Sequence, residues 1–224
     1  MVSISHESRG TTPNVVRNLL LEDFLRGNFI PGGRLHMDEL AERYSVSRTP
    51  IRQALMLLAN EGILTYSGGG FEVRAPSFAE ICEMYDIRCA LECLAVGKLV
   101  ANGVSPEVLQ KLREIHEALL AAAADWKRQS QLDREFHEFI CDHCGAPALS
   151  QLVRHYMVLS VIFNYVSIFM PERIRATKAA HRGLCRQHAR ILKGIESGDP
   201  EKAKRAVAYH INHARNYFEV HHID

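Results

Sequence analysis

The chain has 224 residues, of which 47% are hydrophobic and 24% are charged, and its formal net charge is +1. This composition suits a protein with a substantial core, and the near-balance of charge argues against a broad basic surface. The length suits a unit of about 75 residues followed by one of about 150. Because no apolar run reaches the roughly 18 residues of a membrane span and the N-terminus lacks a secretory pattern, we expect a two-domain cytoplasmic protein without membrane segments.

The first predicted structure is a helix-turn-helix followed by a β-hairpin, within residues 38–74. A short apolar stripe over residues 40–44 predicts the first helix. The second helix is predicted to begin with Ser47 as its N-cap and to end at Gly62. Strand-forming residues on both sides of the glycines at 68–70 predict the hairpin, or wing. The buried face of the second helix is expected to consist of four apolar residues at helical spacing: Ile51, Ala54, Leu55 and Leu58.

The second helix has the charge pattern of a DNA-reading helix. Arg48 and Arg52 lie one turn apart near its start, and no acidic side chain follows before Glu61, which suits entry into a major groove. Residues 1–75 hold eight arginines and eight acidic residues, so binding would depend on a few focused arginines, doubled in number by a twofold dimer. The alternative is a small helical domain whose arginines are simply solvated.

The same region resembles the GntR family of bacterial transcriptional regulators. The segments that carry the resemblance are Pro31-Gly32-Gly33-Arg34-Leu35, Leu40-Ala41-Glu42, Val46-Ser47-Arg48-Thr49-Pro50-Ile51-Arg52-Gln53-Ala54-Leu55 and Glu61-Gly62-Ile63-Leu64. The resemblance implies an N-terminal winged helix in which Arg48 and Arg52 touch operator bases or phosphates, Thr49 contacts phosphate and Gly69 forms the wing tip. We add Ser47 and Gln53 to the predicted DNA-binding residues.

Two positions depart from the family pattern. Asp38 stands where some relatives carry an arginine on the first helix of the motif, so we expect that DNA contact to be lost. Gln53 replaces the usual glutamate after the second arginine, which we expect to alter helix-end interactions or base preference.

The six cysteines indicate a reduced compartment rather than a disulfide framework. Cys82, Cys89 and Cys93 recur at helical spacing among apolar residues and are interpreted as small core residues. Cys141 and Cys144 form an isolated C-x-x-C sequence without a second pair, which we interpret as structural rather than as a redox or zinc site.

From Ser77 onward the sequence predicts about six helices, and hence an antiparallel all-helical bundle. The predicted fold class is therefore mainly α, with a winged helix-turn-helix over residues 1–75 and an effector bundle over residues 76–224. Two predicted helices begin near Ser77 and Ser105; the others cover approximately residues 129–143, 147–169, 171–197 and 200–221.

The bundle contains a candidate metal site. Asp133 and His137 are four residues apart and share one helix face. His188 lies eleven residues before Asp199 and His210 eleven after it, so in a helical hairpin both sit roughly 16 Å from the turn at 1.5 Å per residue. Three imidazoles and a carboxylate suit a divalent metal, Zn²⁺ foremost, and also Ni²⁺, Mn²⁺ or Fe²⁺. With twelve histidines in the chain, chance alignment and competition from His181 or His213 remain alternatives.

A second resemblance covers this region. The segments Arg88-x-x-Leu91-Glu92, Asp133-x-x-Phe136-His137, His188-x-x-Ile191-Leu192 and His210 look like the FCD effector domain of the FadR subfamily. There an aspartate and three histidines hold a metal beside the effector pocket, which implies metal ligation by Asp133, His137, His188 and His210. Gln187 departs from the family glutamate and loses a carboxylate behind the ligands.

The resemblance also implies a small organic acid as effector. Arg88 and Asn164 are the predicted effector-binding residues. The alternatives are a surface ion pair for Arg88 and a satisfied core or interface group for Asn164.

These predictions combine into a ligand-gated homodimer that binds near-palindromic double-stranded operator DNA, as a repressor relieved by its effector. Two alternatives come from other classes of protein: a metal-dependent enzyme built on the bundle, and an interaction module with a structural metal.

Overall fold

The computed structural model describes residues 12–122, 125–168 and 174–220, without the side chains of residues 126, 161, 163–168, 174–181 and 217–220. Its contacts divide the chain into two compact units, Met1–Ala75 and Pro76–Asp224. The fold is mainly α, as predicted, with a small antiparallel sheet in the first unit. None of the helices in the described residues is both long enough and apolar enough to cross a membrane.

The first unit is a winged helix. Its elements are α1 (Pro13–Leu25), β1 (Arg34–Leu35), α2 (Met37–Arg43), α3 (Arg48–Asn60), β2 (Leu64–Ser67) and β3 (Gly70–Val73). The sheet order is β1-β3-β2, and both pairs are antiparallel. The sequence did not predict α1 or β1: a two-residue strand has no detectable period, although the buried residues Val16, Leu20 and Phe24 have the spacing of one helix face.

Helix α3 forms the centre of this unit. Its predicted face of Ile51, Ala54, Leu55 and Leu58 is fully buried, which confirms the periodicity argument. Ser47 occupies the N-cap position, as predicted, although its side chain makes no capping hydrogen bond.

Two tight turns limit the position of α3. Ser45, between α2 and α3, has φ 53°, a conformation that non-glycine residues rarely adopt. Gly62 follows the helix with φ 76°, as expected for a residue that ends a helix in the left-handed region.

The second unit contains the six predicted helices. They are α4 (Phe78–Ala101), α5 (Pro106–Ala121), α6 (Trp126–Asp142), α7 (Pro147–Ile168), α8 (Ile174–Glu196) and α9 (Pro200–Val220). Ser77 and Glu80 form a reciprocal capping box at the start of α4. Helix α6 begins three residues before the prediction, because the Asp125 side chain accepts a hydrogen bond from the backbone of Arg128.

Helices α8 and α9 pack very closely near their connecting turn. A Cβ atom added to Gly194 would lie 2.8 Å from the Cα of Ala203, so only glycine fits there without a shift of the backbone. Asp199 caps α9 by accepting hydrogen bonds from the backbone of Glu201 and Lys202. This antiparallel pair holds residues equally distant from the turn at the same height.

Candidate metal centre and DNA-binding surface

The four predicted ligands come together inside the helical unit. Asp133 and His137 lie on α6, His188 on α8 and His210 on α9. One ligand atom from each falls within 4.8 Å of all the others. The three histidines are buried, while the Asp133 side chain keeps 25% of its surface exposed. The alternative ligand His213 is exposed and stacks on Tyr209, and the side chain of His181 lies outside the described residues.

The imidazole nitrogens of this cluster converge on the carboxylate. His188 Nε2 lies 3.2 Å from Asp133 Oδ1, and His210 Nε2 lies 3.8 Å from the same oxygen. The ring centroids of His137 and His188 are both 4.8 Å from that of His210. Among the described residues, Asp133 Oδ1, His137 Nε2 and His188 Nε2 are buried atoms without a hydrogen-bond partner. Such atoms are costly to bury unless something satisfies them, and all three are atom types that bind divalent metals.

The other nitrogen of each imidazole is held from outside the cluster. His188 Nδ1 donates to the Leu184 carbonyl oxygen at 3.1 Å, and His210 Nδ1 donates to Gln187 Oε1 at 2.9 Å. His137 Nδ1 lies 2.6 Å from the carboxylate oxygen Glu92 Oε2. All three partner atoms are oxygens that can accept a hydrogen bond, which favours a proton on each Nδ1 and leaves the Nε2 lone pairs directed inward.

Gln187 therefore does more than the sequence predicted. We expected its replacement of glutamate to remove a supporting carboxylate. Its amide oxygen nevertheless holds His210 in place without adding a charge. The sequence also missed the role of Glu92, although its position four residues after Arg88 is the spacing of a helical ion pair.

The electrostatics of the cluster favour a cation at its centre. Burial raises the pKa of Asp133, but the close approach of the three imidazoles, that of His188 first, overcomes this and holds the pKa well below its usual range. Burial likewise opposes ionisation of Glu92, yet Arg88 and His137 lower its pKa to about 2. Burial and its two neighbouring imidazoles lower the pKa of His210, which favours the neutral, metal-binding form. Both carboxylates are thus held in the ionised form, while Glu92, against the effect of burial, raises the pKa of His137.

Arg88 is buried rather than at the surface, with 6% of its surface exposed. Its Nε donates to Glu92 Oε1 at 2.8 Å, and Nη1 donates to Ser160 Oγ at 2.8 Å. The ion pair that we considered as the alternative role for Arg88 is thus present, but in the interior next to the candidate metal site. The second predicted effector residue, Asn164, has a side chain outside the described residues.

One further histidine faces this region and was not predicted. Nδ1 of His116, on α5, is buried without a hydrogen-bond partner among the described residues. Burial and the charge of His188 lower its pKa. Nothing in the local sequence distinguishes His116 from the other histidines, because its position depends on how α5 packs on α8.

The winged helix presents the predicted DNA-contact residues on its surface. Five of these side chains are exposed at the start of α3 or just before it: Ser47, Arg48, Thr49, Arg52 and Gln53. Gly69 lies at the hairpin tip with φ 75°. Arg48 Nε lies 3.0 Å from Asp38 Oδ1, whereas Arg52 makes no ion pair with the described residues.

The cysteines make no disulfide and have no redox geometry. All six are free, and Cys141 and Cys144 are both buried. Burial, followed by neighbouring negative charges, raises the pKa of Cys141, which disfavours the reactive thiolate.

Comparison with known proteins identifies both units. Residues 13–73 match the model described as bacterial regulatory proteins, gntR family, and residues 83–213 match the FCD domain. The chain is 30% identical over 202 residues to the HTH-type transcriptional regulator YdhC of Bacillus subtilis, covering 88% of this chain and 86% of YdhC. It is 29% identical over 153 residues to the HTH-type transcriptional repressor GlaR of Escherichia coli, covering 66% and 70%.

The fold is similar to a solved structure as well. The E. coli McbR/YncC structure superposes with a TM-score of 0.81 at 23% identity, covering 98% of this chain and 99% of that one. The matched families and relatives are transcriptional regulators, so the interpretation of the bundle as an enzyme is not supported.

Proposed function

This chain belongs to the gntR family of bacterial regulatory proteins and carries an FCD domain, so it is a transcriptional regulator, and we propose that it is a repressor controlled by a small carboxylate at a metal site. The observation that carries the proposal is the convergence of three unsatisfied ligand atoms, with His210, inside the helical unit. The repressor GlaR is a relative that supports the direction of control.

The winged helix would bind the operator through side chains at the start of α3. Arg48 and Arg52 are placed to read guanine edges or to contact phosphates, and Gln53 suits adenine. Ser47 and Thr49 would bind phosphate, which fixes register without reading sequence. Gly69, without a side chain at the hairpin tip, permits a close approach of the wing to the backbone or minor groove. Two subunits in a homodimer would bind the two halves of a near-palindromic site.

The helical unit would hold a divalent metal through Asp133, His137, His188 and His210. The donor set favours Zn²⁺ and also suits Ni²⁺, Mn²⁺ or Fe²⁺. When bound, the ion would supply a positive charge that attracts a carboxylate. The alternative function, an interaction module with a purely structural metal, would need no effector. An effect of a bound carboxylate on DNA affinity therefore distinguishes the regulator from such a module.

Arg88 is the proposed second anchor for the effector. Its Nη2 makes no hydrogen bond to the described residues, while Nε and Nη1 are held by Glu92 and Ser160. A guanidinium fixed in this way can bind a carboxylate at little further cost in side-chain entropy. Asn164 remains a proposed contact on the basis of the sequence alone.

Effector binding would control operator affinity by favouring one arrangement of the dimer. The effector must bind more tightly to one arrangement than to the other, and its effect on DNA affinity is equal to the effect of DNA on effector affinity. We propose that the carboxylate favours the arrangement that binds DNA weakly.

Selection of duplex DNA from a random pool, followed by fluorescence anisotropy, tests the DNA-binding half of the proposal. The wild type should enrich an inverted repeat, and Arg52→Ala should weaken binding to it by about tenfold or more. Arg26→Ala is the matched control, because this exposed arginine pairs with Glu22 at the end of α1, and it should bind normally. Failure to enrich any sequence, or equal effects of the two variants, would contradict the proposal.

A further inference from the structure

Asp38 and Arg48 form an ion pair across the two helices of the helix-turn-helix. Asp38 lies in the first turn of α2, and its Oδ1 is 3.0 Å from Nε of Arg48, the first residue of α3. The side chains are 74% and 64% exposed, so the pair lies at the surface on which α3 would approach DNA. The neighbouring acid Glu39 is also exposed and makes no ion pair with the described residues.

An acidic side chain at this place opposes DNA binding in general. Phosphates repel Asp38, and its charge offsets that of Arg48 in the sequence-independent attraction to the backbone. An exposed ion pair adds little to the stability of the fold, and the start of α2 already favours a negative charge through the helix dipole. The consequence of the pair therefore lies in the position of the Arg48 guanidinium.

The geometry of the contact leaves the reading edge of Arg48 available. Asp38 approaches Nε, so the two terminal nitrogens remain able to donate in parallel to guanine O6 and N7. The charge of Asp38, 3.0 Å from Nε, favours guanidinium positions close to the carboxylate, so Arg48 samples fewer orientations before it meets the base and pays less entropy for that contact. The same attraction disfavours rotation of Arg48 away to a nearby phosphate.

We propose that Asp38 is a specificity-determining residue that directs Arg48 to a base and restrains its contact with phosphate. The inference rests on the proposed binding of operator bases by Arg48. It assigns different tasks to the two arginines of α3: Arg48 reads sequence under the control of Asp38, and Arg52, which has no such partner, supplies affinity. Asp38 thereby takes a role at the position where we expected only the loss of a DNA contact.

Asp38→Asn tests this inference with Glu39→Gln as the matched control. Each variant removes one negative charge from the first turn of α2 and keeps the size of the side chain. Dissociation constants are measured by anisotropy for the selected inverted repeat and for a scrambled duplex, at several salt concentrations. We expect Asp38→Asn to tighten binding to the scrambled duplex and to weaken binding to the selected one, which lowers the specificity ratio by about two- to fivefold, the range that an exposed ion pair can supply. Glu39→Gln should change both constants by one common factor.

A variant cycle with Arg48→Ala shows whether the effect passes through Arg48. In the Arg48→Ala background, Asp38→Asn should leave the specificity ratio unchanged, because the side chain that it positions is gone. The inference would be overturned if Asp38→Asn tightened binding to both duplexes equally. It would also be overturned if Asp38→Asn still lowered the specificity ratio in the Arg48→Ala background. If the wild type selects no sequence at all, the proposed function fails together with this inference. If selection succeeds and Arg52→Ala weakens binding while Asp38→Asn keeps the ratio, only the inference fails.

Discussion

At the scale of single residues, the candidate metal site depends on pairs rather than on isolated ligands. Each imidazole that directs Nε2 inward has its Nδ1 held by Glu92, Gln187 or the Leu184 carbonyl. Glu92 also binds Arg88, so one buried carboxylate links the metal cluster to the proposed effector anchor. A change at Glu92 should therefore alter metal binding although it is not a ligand.

Glu92→Gln should weaken zinc binding about 10- to 100-fold, because His137 loses its anionic partner and becomes a weaker base. The affinity is measured by competition with a coloured chelator of known zinc affinity. Glu83→Gln, at an exposed position on the same helix, is the control and should bind zinc as the wild type does. Equal zinc affinities for the wild type and Glu92→Gln would show that Glu92 does not support the site.

Glu92 should also make the stability of the metal-free protein depend on pH. Its pKa in the folded chain is lowered to about 2 from an ordinary value of 4.5. The unfolded chain therefore binds a proton first on acidification, and the stabilisation by ionised Glu92 is present above about pH 4.5 and is lost as the pH falls toward 2. The difference in unfolding free energy between the wild type and Glu92→Gln, measured by denaturant titration with a chelator present, should shrink as the pH is lowered. A difference that grows on acidification would contradict this assignment.

At the scale of helices, the α8–α9 hairpin determines where two of the ligands meet. His188 and His210 could be predicted from the sequence to lie at equal distances from the turn at Asp199, because the turn is easily recognised and the rise per residue of a helix is constant. The contact between Gly194 and Ala203 explains how closely the two helices pack. That close packing should be a requirement of the site.

Gly194→Ala should separate α8 from α9, since the new methyl group would meet the backbone of Ala203. We expect a loss of about 1–3 kcal/mol in unfolding free energy and weaker zinc binding. Gly183→Ala on the same helix is the matched control: a Cβ there meets nothing within 4 Å, so the substitution should be neutral or stabilise the helix by up to about 1 kcal/mol. Thermal unfolding and zinc titration of both variants check these expectations. Unchanged zinc affinity in a destabilised Gly194→Ala protein would show that hairpin packing does not shape the site.

Features that depend on packing between distant helices were not accessible from the sequence. Glu92 lies on α4 and His137 on α6, and no local period relates the two residues. The same reason hid His116, whereas the pairing of Asp133 with His137, the pairing of His188 with His210 and the buried face of α3 follow from spacing within one helix or one hairpin. That the two pairs form one site was implied by the family resemblance. The burial of Arg88 was missed because a charged residue in a helical pattern is usually exposed.

At the scale of the whole molecule, the chain joins a winged helix of the gntR family to an FCD domain that contains the candidate metal site. The proposed function requires that binding of the carboxylate to the second unit be coupled to DNA binding by the first. Such coupling is a free energy between two sites, and it is measurable as a change in one affinity on occupation of the other site. Neither unit tested alone can reveal it.

The most direct test is the affinity of the zinc-loaded full chain for its selected operator, measured by anisotropy with and without a panel of small carboxylic acids. We predict that at least one acid weakens DNA binding about tenfold or more, and that His188→Ala protein, with its metal site disrupted, shows no such change. Operator affinity that no acid alters while zinc stays bound, or an acid effect that persists in His188→Ala, would contradict control by a carboxylate at the metal.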